Sequence, residues 1–241
     1  MATTHADLAP TRILQVGASL AFVAGFVDAS GFVALFGLFT AHVTGNLIMI
    51  GVELAQGGPG VFAKLCALPV FMAAVLATSL IVDACNSRGM SPLRPLLVAQ
   101  LLLLLGFMAA GLAWPPRHAD GWREITTGML AVLAMGVQNA KSRLVLSSHI
   151  PTTVMTGTVT QLMIDLIAIV RPGPAEPRRT AAARARKSVP ALLAFAAGAI
   201  GGAISYLHLS FWCVLIPLAV LIALIATTPG ARPPAPGSSV R

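Results

Sequence analysis

Charge is what this chain has least of. Charged residues fill 10% of its 241 positions, against about 25% in a soluble domain. Carboxylates are the scarcest, with 8 Asp and Glu against 16 Lys and Arg. A soluble globular domain is excluded on that ground. Cysteine is nearly missing too. Cys66, Cys85 and Cys213 share no CxxC or Cys/His spacing, which excludes a disulfide scaffold and leaves no zinc site. Strands of alternating apolar and polar residues are absent, so a transmembrane barrel is excluded. There is no Gly-rich phosphate loop, no Ser nucleophile motif and no metal-ligand cluster. The sequence therefore offers no catalytic residue, metal or cofactor, and the expectation is a protein that is not an enzyme. A net charge of +8 raises nucleic acid as a partner. The basic residues lack interleaved aromatics and fall in loops, where they set membrane orientation instead, so no nucleic-acid partner is expected.

What the chain does have is apolar sequence, 56% of all residues, with a mean hydropathy of +0.84. Several runs approach or exceed the roughly 18–20 residues that span hydrocarbon. The expected fold is an all-α integral membrane protein with the lipid bilayer as its partner. Ile13–Phe36 is too long for a signal-peptide core and reads as a retained first span. Further spans are expected at Val61–Val82, with a kink at Pro69, then at Pro95–Trp114 and at Glu124–Leu146. Ser188–Leu207 and Phe211–Ala226 should form a tight helical hairpin. Asp83–Arg94 reads as a polar loop, Arg171–Lys187 as a basic loop, and Thr227–Arg241 as a disordered tail. Trp114 and Trp122 suit an interfacial aromatic belt. Lys141 and Arg143 read as side chains that snorkel to the cytoplasmic interface. Gly198-x-x-x-Gly202 reads as a helix-packing motif within the chain.

Two polar stretches interrupt this apolar background. The first is Thr40-Ala41-His42-Val43-Thr44-Gly45-Asn46, and the second is Ser147–Thr158. Neither suits a lipid-facing surface, so at membrane depth each must face protein or a water-filled cavity. The two are related. Thr40, Thr44, Gly45 and Glu53 recur at one constant displacement as Thr152, Thr156, Gly157 and Asp165. Upstream, Gly25, Asp28 and Ala29 recur as Gly136, Asn139 and Ala140 with a one-residue shift. Two further spans follow each copy. Such internal repeats are typical of transporters.

The chain therefore reads as about six transmembrane helices in two three-helix repeats, each with a broken or re-entrant segment. From Gly45 to Gln56 a helix rises roughly 18 Å, about half a bilayer. The expected organisation is 1–12 as a cytoplasmic N-terminus, 13–114 as the first membrane repeat and 115–123 as a loop. The second membrane repeat is 124–226, and 227–241 is a cytoplasmic tail. Arg12, Arg88, Arg94, the basic 171–187 stretch, Arg232 and Arg241 share one side and outnumber Lys64, Arg117 and Arg123 on the other. That puts both termini in the cytoplasm. Eight crossings with parallel repeats also keep the 171–187 stretch and both termini inside, so charge alone separates the two models weakly, and the short Gly45–Gln56 segment favours six.

Chemistry concentrates at the breaks. Thr44 and Thr156 are good N-cap residues for the half-helices that follow. Their exposed N–H groups and dipole ends would favour an anion. The candidate substrate-binding residues are Asp28, Thr40, His42, Thr44, Gly45, Asn46, Asn139, Thr152, Thr156 and Gly157. Asp28, Glu53 and Asp165 are costly carboxylates in or beside apolar segments, and are the candidates for proton coupling.

These motifs carry a resemblance. Gly25-Phe26-Val27-Asp28-Ala29, Phe39-Thr40-Ala41-His42-Val43-Thr44-Gly45-Asn46 and Pro151-Thr152-Thr153-Val154-Met155-Thr156-Gly157 resemble the YoaK-like family of bacterial multi-span membrane proteins of unknown function. The resemblance covers nearly the whole chain. It implies a bacterial inner (cytoplasmic) membrane protein and assigns no activity. The functional expectation from the residues is a transporter or permease for an unknown small solute, with proton coupling and anion binding as its options and a homo-oligomer left open. The alternative is a non-transporting component that binds a lipid or a partner protein.

Overall fold

The computed structural model describes residues 10–146, 155–171 and 174–228. Among these, every regular element is helical: α1 (Pro10–Ala34), α2 (Gly45–Gln56), α3 (Val61–Ser87), α4 (Leu93–Ala113), α5 (Trp122–Leu144), α6 (Met155–Val170), α7 (Ala175–Leu209) and α8 (Leu215–Thr227), with a 3₁₀ turn at Ser210–Val214. Among the described residues, four segments are long and apolar enough to cross a membrane: Leu14–Ala34 of α1, α3, α4 and the run Ala175–Thr227. This is a membrane protein. Helix α5 is not among the four. It carries Glu124, Gln138 and Lys141, and it buries all three.

Two boundaries and one packing arrangement differ from the sequence reading. Helix α3 runs through Pro69 to Ser87, so only 88–92 remain of the expected 83–94 loop. The basic stretch 175–187 is the start of the 35-residue α7 rather than a loop. Hydropathy marks where a chain leaves hydrocarbon, whereas Ala- and Arg-rich sequence keeps its helix propensity in water. The expected hairpin also opens out, since α8 packs on α4 and α1 rather than back along α7.

Helix α1 ends on two left-handed residues, Phe36 (φ 54°) and Gly37 (φ 79°), and Gly37 N–H bonds the Phe32 carbonyl at 2.9 Å. That is a Schellman-type stop. Helix α2 ends in the same way at Gly57 (φ 67°), with Gly58 N–H on the Glu53 carbonyl. Helix α3 then starts at Val61 under a cap from far along the chain. Asp120 accepts Gly60 N–H and Ala63 N–H at 2.9 Å each, which satisfies two orphan donors of the first turn.

Lys64 joins these ends. Its ammonium donates to the Phe36 carbonyl at 2.9 Å and to Glu53 Oε1 at 2.6 Å. The end of α1, the end of α2 and the start of α3 thus meet at one buried cation, so residues 37–53 leave and return at a single place. Removing one partner of a buried ion pair strands the other. Glu53→Ala is therefore expected to destabilise the protein by about 3 kcal/mol, read as thermal unfolding in detergent. Pairing Glu53→Gln with Lys64→Met is expected to restore most of that loss.

Helix α1 lies along α7, and α5 lies between α3 and α4. The α1–α7 approach is backbone on backbone. A side chain at Gly25 would strike the Phe195 carbonyl, one at Gly198 the Phe22 carbonyl, and one at Gly202 the Phe26 carbonyl. In α5, Gly136 seats against Phe71 and Ala74 of α3. Small residues allow such close approach between membrane helices.

A polar thread crosses the apolar centre. Lys141 Nζ donates to Gln100 Oε1 (2.7 Å), Gln100 Nε2 to Gln138 Oε1 (2.6 Å), and Gln138 Nε2 to the Leu20 carbonyl (2.8 Å). Gln100, Gln138 and Lys141 are fully buried. Lys141 therefore does not snorkel as the sequence suggested. It sits three residues after Gln138 on the same inward face of α5, where Gln100 of α4 supplies its acceptor.

Candidate functional site

Between α1 and α2 the backbone is non-helical within an otherwise helical protein. Its polar groups need partners there, and two side chains supply them. Asn46 acts as a peptide surrogate. Its Oδ1 accepts Phe39 N–H and its Nδ2 donates to the Phe39 carbonyl, both at 2.9 Å. Asp28, projecting from α1, takes the amides that follow. Its Oδ1 accepts Thr40 N–H and Ala41 N–H at 2.7 Å each, with longer contacts from the Thr40 hydroxyl (3.3 Å) and His42 N–H (3.4 Å). Its Oδ2 lies 2.6 Å from His42 Nδ1. One carboxylate thus organises the turn and orients the imidazole. Phe39 closes against Gly45, where a Cβ would meet its ring, and Phe195 of α7 packs edge-on to His42.

Burial divides these residues by role. Thr40 (0%), Asn46 (1%) and Asp28 (5%) are buried and shape the turn, whereas the His42 side chain is 35% exposed. His42 faces a cleft of about 490 Å³ whose polar lining is His42, Thr44, Asn139, Arg143 and Thr156. Its apolar wall includes Leu68, Phe71 and Val75 of α3. Spacings of three and four residues put those three on one helical face. A second, more apolar cleft of about 400 Å³ lies between α1 and α7. Asp28, Phe32, Phe39, His42 and Phe195 line it, so His42 borders both clefts.

The structure thus gathers His42, Thr44, Asn139 and Thr156 from the sequence candidates. Thr40, Gly45 and Asn46 build the turn behind them. Gly157 is exposed on the first turn of α6. Thr152, with the rest of 147–154, lies outside the described residues.

Two expectations change. Thr44 holds the N-cap position of α2 but makes no side-chain cap, because it is already helical (φ −67°, ψ −22°). The chain enters α2 through a tight turn instead. Gly45 N–H bonds the His42 carbonyl (2.7 Å), Asn46 N–H that of Val43 (3.1 Å) and Leu47 N–H that of Thr44 (3.2 Å). The amides that were to hold an anion at the start of α2 are therefore already used. Glu53 and Asp165 also stand away from the cleft lining. Each fastens a short helix to the long helix after it, Glu53 through Lys64 and Asp165 through Arg184 of α7. Asp165 accepts two further 3.1 Å bonds from Arg184 Nε, and a 3.0 Å bond from Gln161. Of the three acids, Asp28 alone contacts a residue of the larger cleft.

The sequence reading missed Lys64, Arg184 and Arg143 as members of these sites. Lys64 carried a usable signal, as a cation four residues into an apolar span. Arg184 carried none, since its basic stretch reads as a loop by hydropathy. Arg143 falls four residues after Asn139, hence on the same face of α5.

A family model described as "Protein of unknown function (DUF1275)" matches residues 16–227. The chain is also 29% identical over 151 residues to the UPF0700 transmembrane protein YoaK of Bacillus subtilis (strain 168). That alignment covers 61% of this chain and 64% of YoaK, less than two thirds of the relative's length. No solved structure matches.

Proposed function

The chain belongs to the DUF1275 family of proteins of unknown function, and we propose that this member carries a small solute across a bacterial inner membrane through the larger cleft. The observation that carries the reading is the composition of that cleft. His42 and Thr44 of the first break line it together with Thr156 at the start of α6, beside Asn139 of α5. A polar chamber between two interrupted segments is where transporters bind their cargo.

The packing supports a duplicated, six-crossing design. The seat of α1 on α7 is matched by that of α5 on α3, α2 on α3 by α6 on α7, and α4 on α5 by α8 on α1. The repeat-related glycines Gly25 and Gly136 occupy the corresponding close approaches. The return of residues 37–53 to Lys64 fits a re-entrant segment better than a crossing. The basic residues favour both termini in the cytoplasm.

In this reading Asp28 and His42 form the proton-coupling pair. The Asp28 carboxylate keeps Nδ1 oriented, and the ring can gain or lose a proton as the cleft fills and empties. Proteoliposomes with an internal pH dye test it. A driven solute should move protons in the wild type, whereas His42→Gln should cut that coupled flux at least about tenfold with little change in melting temperature. Proton flux that no solute in a broad panel can drive, or that His42→Gln leaves intact, sinks the proposal. A lipid-binding component is the second reading, favoured by the apolar cleft between α1 and α7.

A further inference from the structure

We infer that the larger cleft selects a small organic anion, a carboxylate on a short apolar body, and that Arg143 is its anchor. The inference rests on the transport reading for the direction of movement, though not for the binding chemistry.

The acids beside the breaks are already engaged: Asp28 by His42 and backbone amides, Glu53 by Lys64, and Asp165 by Arg184. Asp120 and Glu124 are taken up by backbone amides at the α3 and α5 ends. Among the described residues, no carboxylate lines the larger cleft. Its polar lining is a guanidinium, an imidazole, an amide and two hydroxyls. A cationic cargo would find no counter-charge there.

Arg143 is different from the bases that hold the helices together. It is exposed and, among the described residues, makes no ion pair or hydrogen bond. Its guanidinium presents five donors and no acceptor, in the planar fork that receives a carboxylate through two parallel bonds. Asn139 lies one turn away on the same face of α5, and Thr156 of α6 lines the same cleft. The α2 amides are consumed by their own turn, so anion recognition falls to side chains.

The apolar α3 wall sets the rest of the ligand. Leu68, Phe71 and Val75 form a continuous apolar strip. An inorganic anion would leave it unused, and a wholly apolar molecule would leave the guanidinium bare. A volume of about 490 Å³ falls in the range of small-molecule sites.

The test uses the full chain in detergent with butyrate, benzoate, butyramide, benzamide, butylamine and sulfate as probes, read by ligand-dependent melting temperature and titration. Butyrate or benzoate should stabilise the protein, while the isosteric amides, the amine and sulfate should not. Arg143→Gln should weaken carboxylate binding about 30-fold, and Arg143→Lys should recover only part of it, because the bidentate geometry is lost. Both variants should melt like the wild type without ligand, since Arg143 is exposed. Amides that bind as tightly as the acids, binding by sulfate alone, no carboxylate binding at all, or affinity indifferent to Arg143→Gln would each overturn the inference. Flux assays separate it from the broader proposal. Carboxylate binding without transport upholds the anion site and removes the transporter, while Arg143-independent transport of neutral solutes does the reverse.

Discussion

Asp28→Ala should cost about 5 kcal/mol and open the turn between α1 and α2. The estimate follows from what the carboxylate holds. Two amides, Thr40 N–H and Ala41 N–H, each donate to it at 2.7 Å, and His42 Nδ1 lies at 2.6 Å. Each buried donor left without an acceptor costs about 1–3 kcal/mol, and among the described residues Asp28 is the acceptor both amides use. Hydrogen exchange at Thr40 and Ala41 should accelerate with the loss of thermal stability. Asp28→Asn separates structure from coupling. An Asn carbonyl in place of Oδ1 still accepts both amides, so most of the stability should remain. Its NH₂ would then face His42 Nδ1 and impose the opposite tautomer. Coupled proton movement should disappear in a protein that is still folded. An Asp28→Asn variant that moves protons like the wild type would remove Asp28 from the mechanism.

Gly198→Leu should yield no correctly folded protein. Overpacking against side chains usually costs about 1–3 kcal/mol, because rotamers give way. At Gly198 the obstacle is the Phe22 carbonyl of α1, and at Gly202 it is that of Phe26. Backbone inside a helix cannot step aside without breaking its own hydrogen bonds. Even Gly198→Ala should lower the melting temperature clearly. Gly17→Ala and Gly51→Ala are the controls. Outside its own stretch of helix, no atom of the described residues lies within 4 Å of a Cβ built at either, and both lie in helices, where Ala is favoured by about 1 kcal/mol over Gly. They should be neutral or stabilising. Size-exclusion profiles and melting curves of the four variants would decide it, and a well-folded Gly198→Leu protein would contradict the described α1–α7 approach.

Much of this was legible in the sequence, for definable reasons. Apolar runs of bilayer length announce membrane helices, and a polar stretch such as Thr40–Asn46 must be enclosed wherever it lies deep. Asp28 stood out because an isolated carboxylate in an apolar helix needs a partner. What failed was the assignment of partners. Thr44 has the residue type of an N-cap, but capping depends on backbone dihedrals that composition does not encode. Glu53 and Asp165 looked like titrating acids because Lys64 and Arg184 are separated from them in sequence. Lys141 resembled a residue free to reach the interface, since nothing near it in the chain foretold Gln100. Residue types reveal the demand for a contact, and only the packing of distant helices reveals how it is met.

The seating of α1 on α7 also has a mechanical side. With backbone against backbone, no intervening side chain can change rotamer and let the helices slide, so the two move as one lever. Helices α3 and α5, joined at Gly136, form another. Each lever draws one helix from the first half of the sequence and one from the second, and a mechanical seam runs between them. The cleft straddles that mechanical seam. His42 is tied through Asp28 to α1, and Thr156 starts the α6 that packs on α7, whereas Phe71, Asn139 and Arg143 belong to α3 and α5. Rocking one lever against the other changes the distance from Arg143 to His42 directly, and with it the grip on whatever lies between them.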